Sequence, residues 1–204
     1  MEKLNADALP EYCPMRSNPD AIKRSANRYS DDDVKETYVN AAATEKAAAR
    51  TVLGIPRVVK SRIEQLVDFG KLQGIETMGV AFCVALRDEA STLVELLKGQ
   101  GFDVASVCCK CGAADKANLG IPEKYKTKGK NVFEAACNPI LQAGILNRTK
   151  TQVNIVVGLC VGHDMLFTKN SMAPVTTLIV KDRLLGHNPA KGLKRRKQVP
   201  RIRI

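Results

Sequence analysis

The chain has 204 residues, of which 45% are hydrophobic and 26% charged, values typical of one globular domain with its own core. Its formal net charge is +11, but nine Lys and Arg residues against one Asp lie between residues 181 and 204 and supply +8 of that total. No apolar run approaches the roughly 20 residues that a bilayer span needs. The first residues lack the apolar segment of a signal peptide, so we expect a cytoplasmic protein with no membrane segment.

The amino-terminal part of the chain is expected to be mainly helical. Residues 1–29 show no periodicity and contain Cys13, and they are interpreted as an arm. An alanine-rich helix is predicted over residues 30–53 and a second one, with an apolar face, over residues 57–72. This helical segment, residues 30–75, is expected to pack on the core that follows.

From residue 76 the pattern changes to short apolar runs that alternate with amphipathic segments. Such runs suit strands buried on both faces, and alternation with helices indicates βαβ units with right-handed crossovers. The sequence therefore predicts an α/β fold in three layers, with a mostly parallel sheet of four to five strands and an N-terminal helical pair. The core should occupy residues 76–190, followed by a basic tail over 191–204. The predicted strands are residues 77–85, 102–109, 153–160 and 175–180, and the main helices are residues 87–99 and a segment beginning at Pro139.

The cysteines fall where these predicted strands end. Cys83 lies near the end of the first strand, Cys108 and Cys109 end the second, and Cys160 ends the third. Cys137 directly precedes the N-cap of a helix. In an open parallel sheet the carboxyl ends of strands and the amino ends of helices share one edge, where ligands bind. We therefore expect these thiols to meet at that edge, and in a reducing cytoplasm thiols or metal ligands are favoured over disulfides.

Two further residues extend the candidate site. His163 follows Cys160 at a spacing found in metal sites, and Asp164 could orient its imidazole. Cys13 precedes a proline, which suits an arm that closes over the site. Cys111, which forms a Cys-x-x-Cys pair with Cys108, is interpreted as either a further ligand or a spare thiol. The predicted ligand set is Cys13, Cys83, Cys108, Cys109, Cys137, Cys160 and His163.

The donor set favours an iron–sulfur cluster over zinc. Structural zinc sites usually use two local Cys-x-x-Cys pairs, whereas here one such pair exists and the other cysteines are far apart in sequence. Six thiolates around one Zn²⁺ would leave a net charge of about −4, which several irons bridged by sulfide would spread. A [4Fe-4S] cubane with an open iron, two clusters or a larger fused cluster would all fit, with a redox role or a Lewis-acid role toward a small-molecule substrate. A redox partner protein is the expected alternative to such a substrate.

Two other functions stay open at this stage. The chain could be a zinc-binding module whose basic tail contacts an acidic partner or nucleic acid through charge alone. It could also be a metal-independent cysteine enzyme, with Cys137 or Cys160 as nucleophile, His163 as base and Asp164 as the group that orients the base.

Several longer motifs carry a family resemblance. The stretches AFCVALRDEA, SVCCK, CNPILQAGILN, GLCVGHD and APVTTLIVKDRLLGHNP resemble an uncharacterised cysteine-rich metal-binding family of archaea and anaerobic bacteria. The resemblance covers residues 74–190, with Cys13 as a remnant of an N-terminal cysteine motif. It implies metal binding without an assigned activity. The family cysteines that it implies are Cys83, Cys108, Cys109, Cys137 and Cys160, with His163 beside them.

Overall fold

The computed structural model describes residues 9–52 and 55–194 and divides after Gly74 into two compact units. The first unit is mainly helical and buries few of its side chains. The second unit contains the parallel sheet and the hydrophobic core. No helix in the described part of the chain is both long enough and apolar enough to span a bilayer.

The first unit begins with two helices where the sequence suggested an irregular arm. Helix α1 spans Pro14–Ser17 and α2 spans Pro19–Arg28. Each begins with a proline, whose fixed φ and missing N–H suit the first helical position. Cys13 occupies the N-cap position of α1. Neither helix contains a buried residue.

The predicted helical pair is present, but both helices are shorter than expected. Helix α3 spans Asp32–Ala48 and α4 spans Arg62–Leu72. Between them β1 (Ala49–Val52) and β2 (Ile55–Val58) form an antiparallel pair. Valine and isoleucine favour strands at these positions. Residues 53–54, where the first helix was expected to end, lie outside the described residues. Helix α4 begins late because Ser61 and Glu64 form a reciprocal capping box.

The second unit contains the predicted sheet. Its strands are β3 (Thr77–Phe82), β4 (Asp103–Cys108), β5 (Val153–Val157) and β6 (Val175–Ile179). They are all parallel and lie in the order β4-β3-β5-β6. Strand β5 is buried along its whole length. Each strand ends one to three residues earlier than the sequence suggested.

The connecting helices complete three layers. Helix α5 spans Arg87–Gly99, α6 spans Pro139–Arg148, α7 spans His163–Asn170 and the short α8 spans Ala190–Lys194. Right-handed crossovers place α5 on one face of the sheet and α6 and α7 on the other. Consequently the chain leaves β3 and β5, which are neighbours, in opposite directions. This topological switch point is where open α/β sheets bind ligands.

The core lies between the sheet and its helices. Its largest fully buried side chains include Phe167 of α7, Leu97 of α5 and Met78 of β3. The buried Gln142 amide nitrogen of α6 donates to the backbone carbonyl of Val107 at 2.8 Å, which ties the helix to strand β4. Packing and hydrogen bonding thus hold the carboxyl ends of β3 and β4 in fixed register.

Candidate metal centre

The loops that leave β3 and β4 continue the sheet's hydrogen bonding for one more residue. The backbone N–H of Cys83 donates to Val157 at 3.1 Å, and that of Cys109 donates to Phe82 at 2.8 Å. Both cysteines are almost fully buried. Their positions are therefore fixed by backbone contacts with neighbouring strands, and their side chains are held at the carboxyl-end edge of the sheet.

The chain leaves β5 through a glycine that no other residue could replace easily. Gly158 has a φ of +68°, and a Cβ there would lie 1.9 Å from Leu86 Cδ1. Its N–H donates to the carbonyl of Ile179 at 2.8 Å. The absence of a side chain allows a close turn, which brings Cys160 to the same edge as Cys83.

Lys181 joins these two cysteines. Its Nζ lies 2.8 Å from Cys83 Sγ and 3.1 Å from Cys160 Sγ. Burial opposes ionisation of Cys83, but the hydrogen bond and the charge of Lys181, together with a backbone hydrogen bond from Ala85, outweigh it, so the pKa of Cys83 is lowered. Burial likewise opposes the charge on Lys181, yet the two sulfur contacts raise its pKa. The two sulfurs and the ammonium group thus lie together at the switch point.

A second sulfur pair lies next to the first. The Cys109 and Cys137 sulfurs are 3.8 Å apart and share a hydrogen bond. That contact lowers the pKa of Cys137, which nearby Lys110 and His163 lower further against the effect of burial. The same contact, together with burial, raises the pKa of Cys109. The contact therefore favours ionisation of Cys137 and opposes that of Cys109.

The local backbone explains why these sulfurs meet. The N–H of Val84 donates to Cys109 Sγ at 3.4 Å. The N–H of Asn138 donates to the carbonyl of Cys109 at 2.8 Å, and the Asn138 side chain caps α6 by accepting from Leu141. Because Cys137 immediately precedes this cap, its thiol is held at the positive end of the helix, as the sequence predicted.

Cys108 and Cys111 form the outer part of the edge. The N–H of Cys111 donates to the carbonyl of Cys108 at 3.1 Å, which closes a turn. Burial raises the pKa of Cys111, and the charges of Cys108 and Cys137 raise it further. Cys111 therefore belongs to the same neighbourhood as the predicted ligands. Lys110, between them, donates to the carbonyl of Ala135 at 2.5 Å.

His163 reaches the edge, but Asp164 does not act on it as expected. His163 is the first residue of α7, and its N–H donates to the carbonyl of Cys160 at 2.9 Å. The Asp164 carboxylate instead accepts from the backbone N–H of Met165 at 2.8 Å and so caps its own helix. Cys13 lies in the first unit, half-buried. Its role as a ligand, like that of His163, stays a prediction.

We use the name rim cluster for Cys83, Cys109, Cys137, Cys160 and Lys181. The Cys109 thiol also lowers the pKa of Cys83, so the two sulfur pairs are continuous. Thiolates are soft ligands that select iron–sulfur clusters and zinc. Among residues 9–52 and 55–194, no group of three or more His, Cys, Asp or Glu side chains is arranged so that it could hold a metal ion. The donor types suit a soft metal, while the sulfurs are spread along the edge.

Lys181 is the functional residue that the sequence interpretation missed. It directly follows the last predicted strand, residues 175–180, and so falls at the carboxyl-end edge where Cys83, Cys109 and Cys160 were expected. The sequence interpretation counted its charge with those of residues 181–204 and gave it no role at the sheet edge. Ligands bind at the carboxyl ends of parallel strands, so a comparison of every residue type at those ends would have identified Lys181.

Two comparisons with known proteins extend over most of the chain. A family described as "Protein of unknown function (DUF1847)" matches residues 13–178. An uncharacterized protein of Methanocaldococcus jannaschii is 50% identical over 134 residues, which cover 66% of this chain and 67% of the relative. Neither description names a ligand, a substrate or an activity. The family match begins at Cys13 and contains the four cysteines of the rim cluster.

Proposed function

Because the chain belongs to the DUF1847 family of unknown function, we propose a function from the site itself: the chain binds an iron–sulfur cluster through the rim cluster. Cys83, Cys109, Cys137 and Cys160 are the proposed ligands. The sequence resemblance implied that the family binds metal, and metal binding by the family is likewise part of this proposal.

One observation carries the proposal. Sulfurs that are 23 to 28 residues apart in sequence are brought by three strand ends and one helix start to a single edge. Two of them share a hydrogen bond and two share one lysine. A free cysteine usually behaves as a small apolar residue, and core packing alone gives no reason for four to gather at a switch point.

The spread of the sulfurs supports a polynuclear centre. No three donors in the described part of the chain converge on one point, and several irons bridged by sulfide can accept ligands that are further apart than one ion allows. Lys181 and Lys110 place positive charge beside the sulfurs. Such charge offsets the cost of gathering anionic ligands in a half-buried site. When bound, a cluster of this kind supplies electron transfer or an open iron that polarises a substrate.

A single zinc ion is the second candidate. On a tetrahedral ion with Zn–S bonds of about 2.3 Å, two sulfurs stand about 3.8 Å apart, which is the distance between Cys109 and Cys137. This pair could hold one ion with two further ligands from the edge. With four thiolates the charge left on zinc is smaller than with the six considered from sequence, so charge disfavours zinc less strongly.

Metal and sulfide analysis of protein purified without oxygen tests the proposal. We expect brown protein with broad visible absorption and with iron and acid-labile sulfide in similar amounts. Colourless protein that retains zinc would support the second candidate instead. An activity that persists after chelation and exposure to air, and is lost in Cys137→Ser, would support the metal-independent cysteine enzyme.

A matched pair of variants assigns the ligands. Cys109→Ser should lose most of the bound iron, because its sulfur is central to the rim cluster and contacts both Cys83 and Cys137. Cys111→Ser is the control, since Cys111 lies beside the cluster and is not one of the proposed ligands. Equal iron content in the two variants would contradict the assignment, and circular dichroism should show that both are folded.

A further inference from the structure

Lys181 is a basic side chain whose ammonium group points at sulfur and not at a carboxylate. Its two described hydrogen bonds go to Cys83 and Cys160, which are 98 and 21 residues away in sequence. It is half-buried, and its Cβ lies 3.7 Å from the position that a Cβ on Gly158 would occupy. The residue is therefore held at the switch point, between the loops that follow β3 and β5.

The two other basic side chains near the site act on a different sulfur. Lys110 and His163 lower the pKa of Cys137, whereas Lys181 is the lysine that hydrogen-bonds Cys83 and Cys160. The Lys110 ammonium also donates to the carbonyl of Ala135. Removal of Lys181 thus leaves these two sulfurs without their charged donor and leaves the surroundings of Cys137 in place.

We propose that Lys181 raises the reduction potential of the centre by donating hydrogen bonds to the sulfurs of Cys83 and Cys160. This inference rests on the proposed function and goes beyond it, because it assigns a tuning role to a residue that is not a ligand. An ammonium group has three donors on a flexible four-carbon stem. Its donors can therefore stay on the sulfurs after iron has bound to them.

The direction of the expected change in reduction potential follows from charge. Reduction adds one electron to the centre, and a nearby positive charge stabilises the more negative, reduced state. Hydrogen bonds to the ligand sulfurs act in the same direction, and both are among the recognised determinants of cluster potential. Loss of the ammonium group therefore makes the cluster harder to reduce. The same physics predicts that another positive donor at this position preserves much of the effect.

The test is redox titration of the anaerobically prepared protein, followed by visible absorption. Lys181→Met is compared with Lys181→Arg and with Lys98→Met, which removes one lysine charge at an exposed position of α5. At the wild-type midpoint, we expect the ratio of reduced to oxidised Lys181→Met to fall at least tenfold, equal to about 59 mV for one electron. Lys181→Arg and Lys98→Met should remain within about threefold of wild type, less than half of that shift.

The outcomes separate this inference from the function on which it rests. A cluster that loads into Lys181→Met with an unchanged potential overturns the tuning role and leaves the proposed function standing. A wild-type protein without iron overturns both. If Lys181→Met does not fold, Lys181→Gln serves as the neutral variant with a similar shape, and the same shift is required of it. A purely structural lysine would alter the cluster content and leave the potential of the loaded fraction unchanged.

Discussion

The second unit contains two polar clusters with opposite chemistry. The rim cluster joins sulfurs to one another and to one ammonium group. The other cluster, which we call the ion-pair loop, is formed by residues 115–134 between β4 and α6. There Lys126 Nζ lies 2.7 Å from Asp115 and 2.8 Å from Glu123, and Lys116 Nζ lies 2.7 Å from Glu134. The Lys126 side chain is only 4% exposed.

Every carboxylate of the ion-pair loop has a lysine and a backbone donor. Asp115 accepts from the N–H groups of Ala117 and Glu134, and Glu123 accepts from that of Asn131. Glu134 accepts from Thr127 and Lys128. Such a network stabilises a loop that has little regular structure of its own. In the rim cluster, by contrast, the sulfurs contact one another, Lys181 and the backbone N–H of Val84. Sulfur is a weak hydrogen-bond partner, so a bound metal can replace these contacts at small cost.

Oxidation should separate the two clusters most sharply. Cys137 and Cys109 are close enough to form a disulfide after small side-chain rotations. The Cys137 thiolate attacks one sulfur of oxidised dithiothreitol and opens its ring, and Cys109 then attacks the Cys137 sulfur and releases reduced dithiothreitol. Metal-free protein treated with oxidised dithiothreitol should lose two hydrogens, about 2 Da by intact mass, and this disulfide should block metal loading.

Peptide mapping must place that bond between Cys109 and Cys137. The variant Cys137→Ser should not form it, whereas Cys13→Ser, in the first unit, should behave as wild type. A bond that joins other cysteines would contradict the contact between the two sulfurs.

Neutralising the lysine at the centre of the ion-pair loop should have the next largest effect. Lys126→Met leaves Asp115 and Glu123 close to each other without their shared cation, and breaking a buried pair on one side is destabilising. We expect the melting temperature to fall by at least about 4 °C, as for other moderately destabilised domains of this size. Lys124→Met, on an exposed neighbour, is the control and should change it by less than about 1 °C. Iron content should stay unchanged in both variants if the two clusters are independent.

The stability of the ion-pair loop should depend on pH only in acid, and this effect should be smaller than that of Lys126→Met. The hydrogen bond from Lys126 lowers the pKa of Asp115 to about 2, and that from Lys116 lowers the pKa of Glu134 to about 2. Because both values lie below the unfolded range near 4, the stabilisation is fully present above about pH 5 and is lost progressively as the pH falls toward 2. Hydrogen exchange of the Thr127 and Lys128 amides should stay slow at pH 4 and become faster than acid catalysis alone explains near pH 2. A loop that opens at pH 5 would contradict the bonding to Glu134.

The sheet was largely predictable, because its signal is local. Continuous apolar runs marked the four strands, and Asn138 with the following proline marked α6. The first unit was harder. The β1–β2 pair has strands of four residues, too short for a pattern of alternating burial, and it directly follows an alanine-rich helix. No local signal opposed the extension of that helix.

The site was predictable at the level of the edge but not of the contacts. The strand-end rule brought Cys83, Cys109 and Cys160 together from sequence. It did not separate Cys109, whose sulfur contacts Cys137, from Cys108, whose neighbour is Cys111. Adjacent residues at a strand end differ in direction, and the exit of the loop decides which sulfur faces inward. That exit depends on long-range hydrogen bonds such as the one from Asn138 to Cys109.

Deletion of the basic tail is expected to have the smallest effect on the two clusters. Its residues 195–204 lie outside the described part of the chain, while residues 190–194 form α8. Deletion of residues 191–204 should leave the metal content of the rim cluster and the melting temperature within error, because neither cluster contains a residue from this segment. It should weaken binding to a polyanion such as poly(U), with a shallower salt dependence, since fewer lysines and arginines contact phosphates. Binding that persists unchanged at low salt would mean that charge elsewhere on the chain is responsible, and the lysines that flank the ion-pair loop would then be the next to replace.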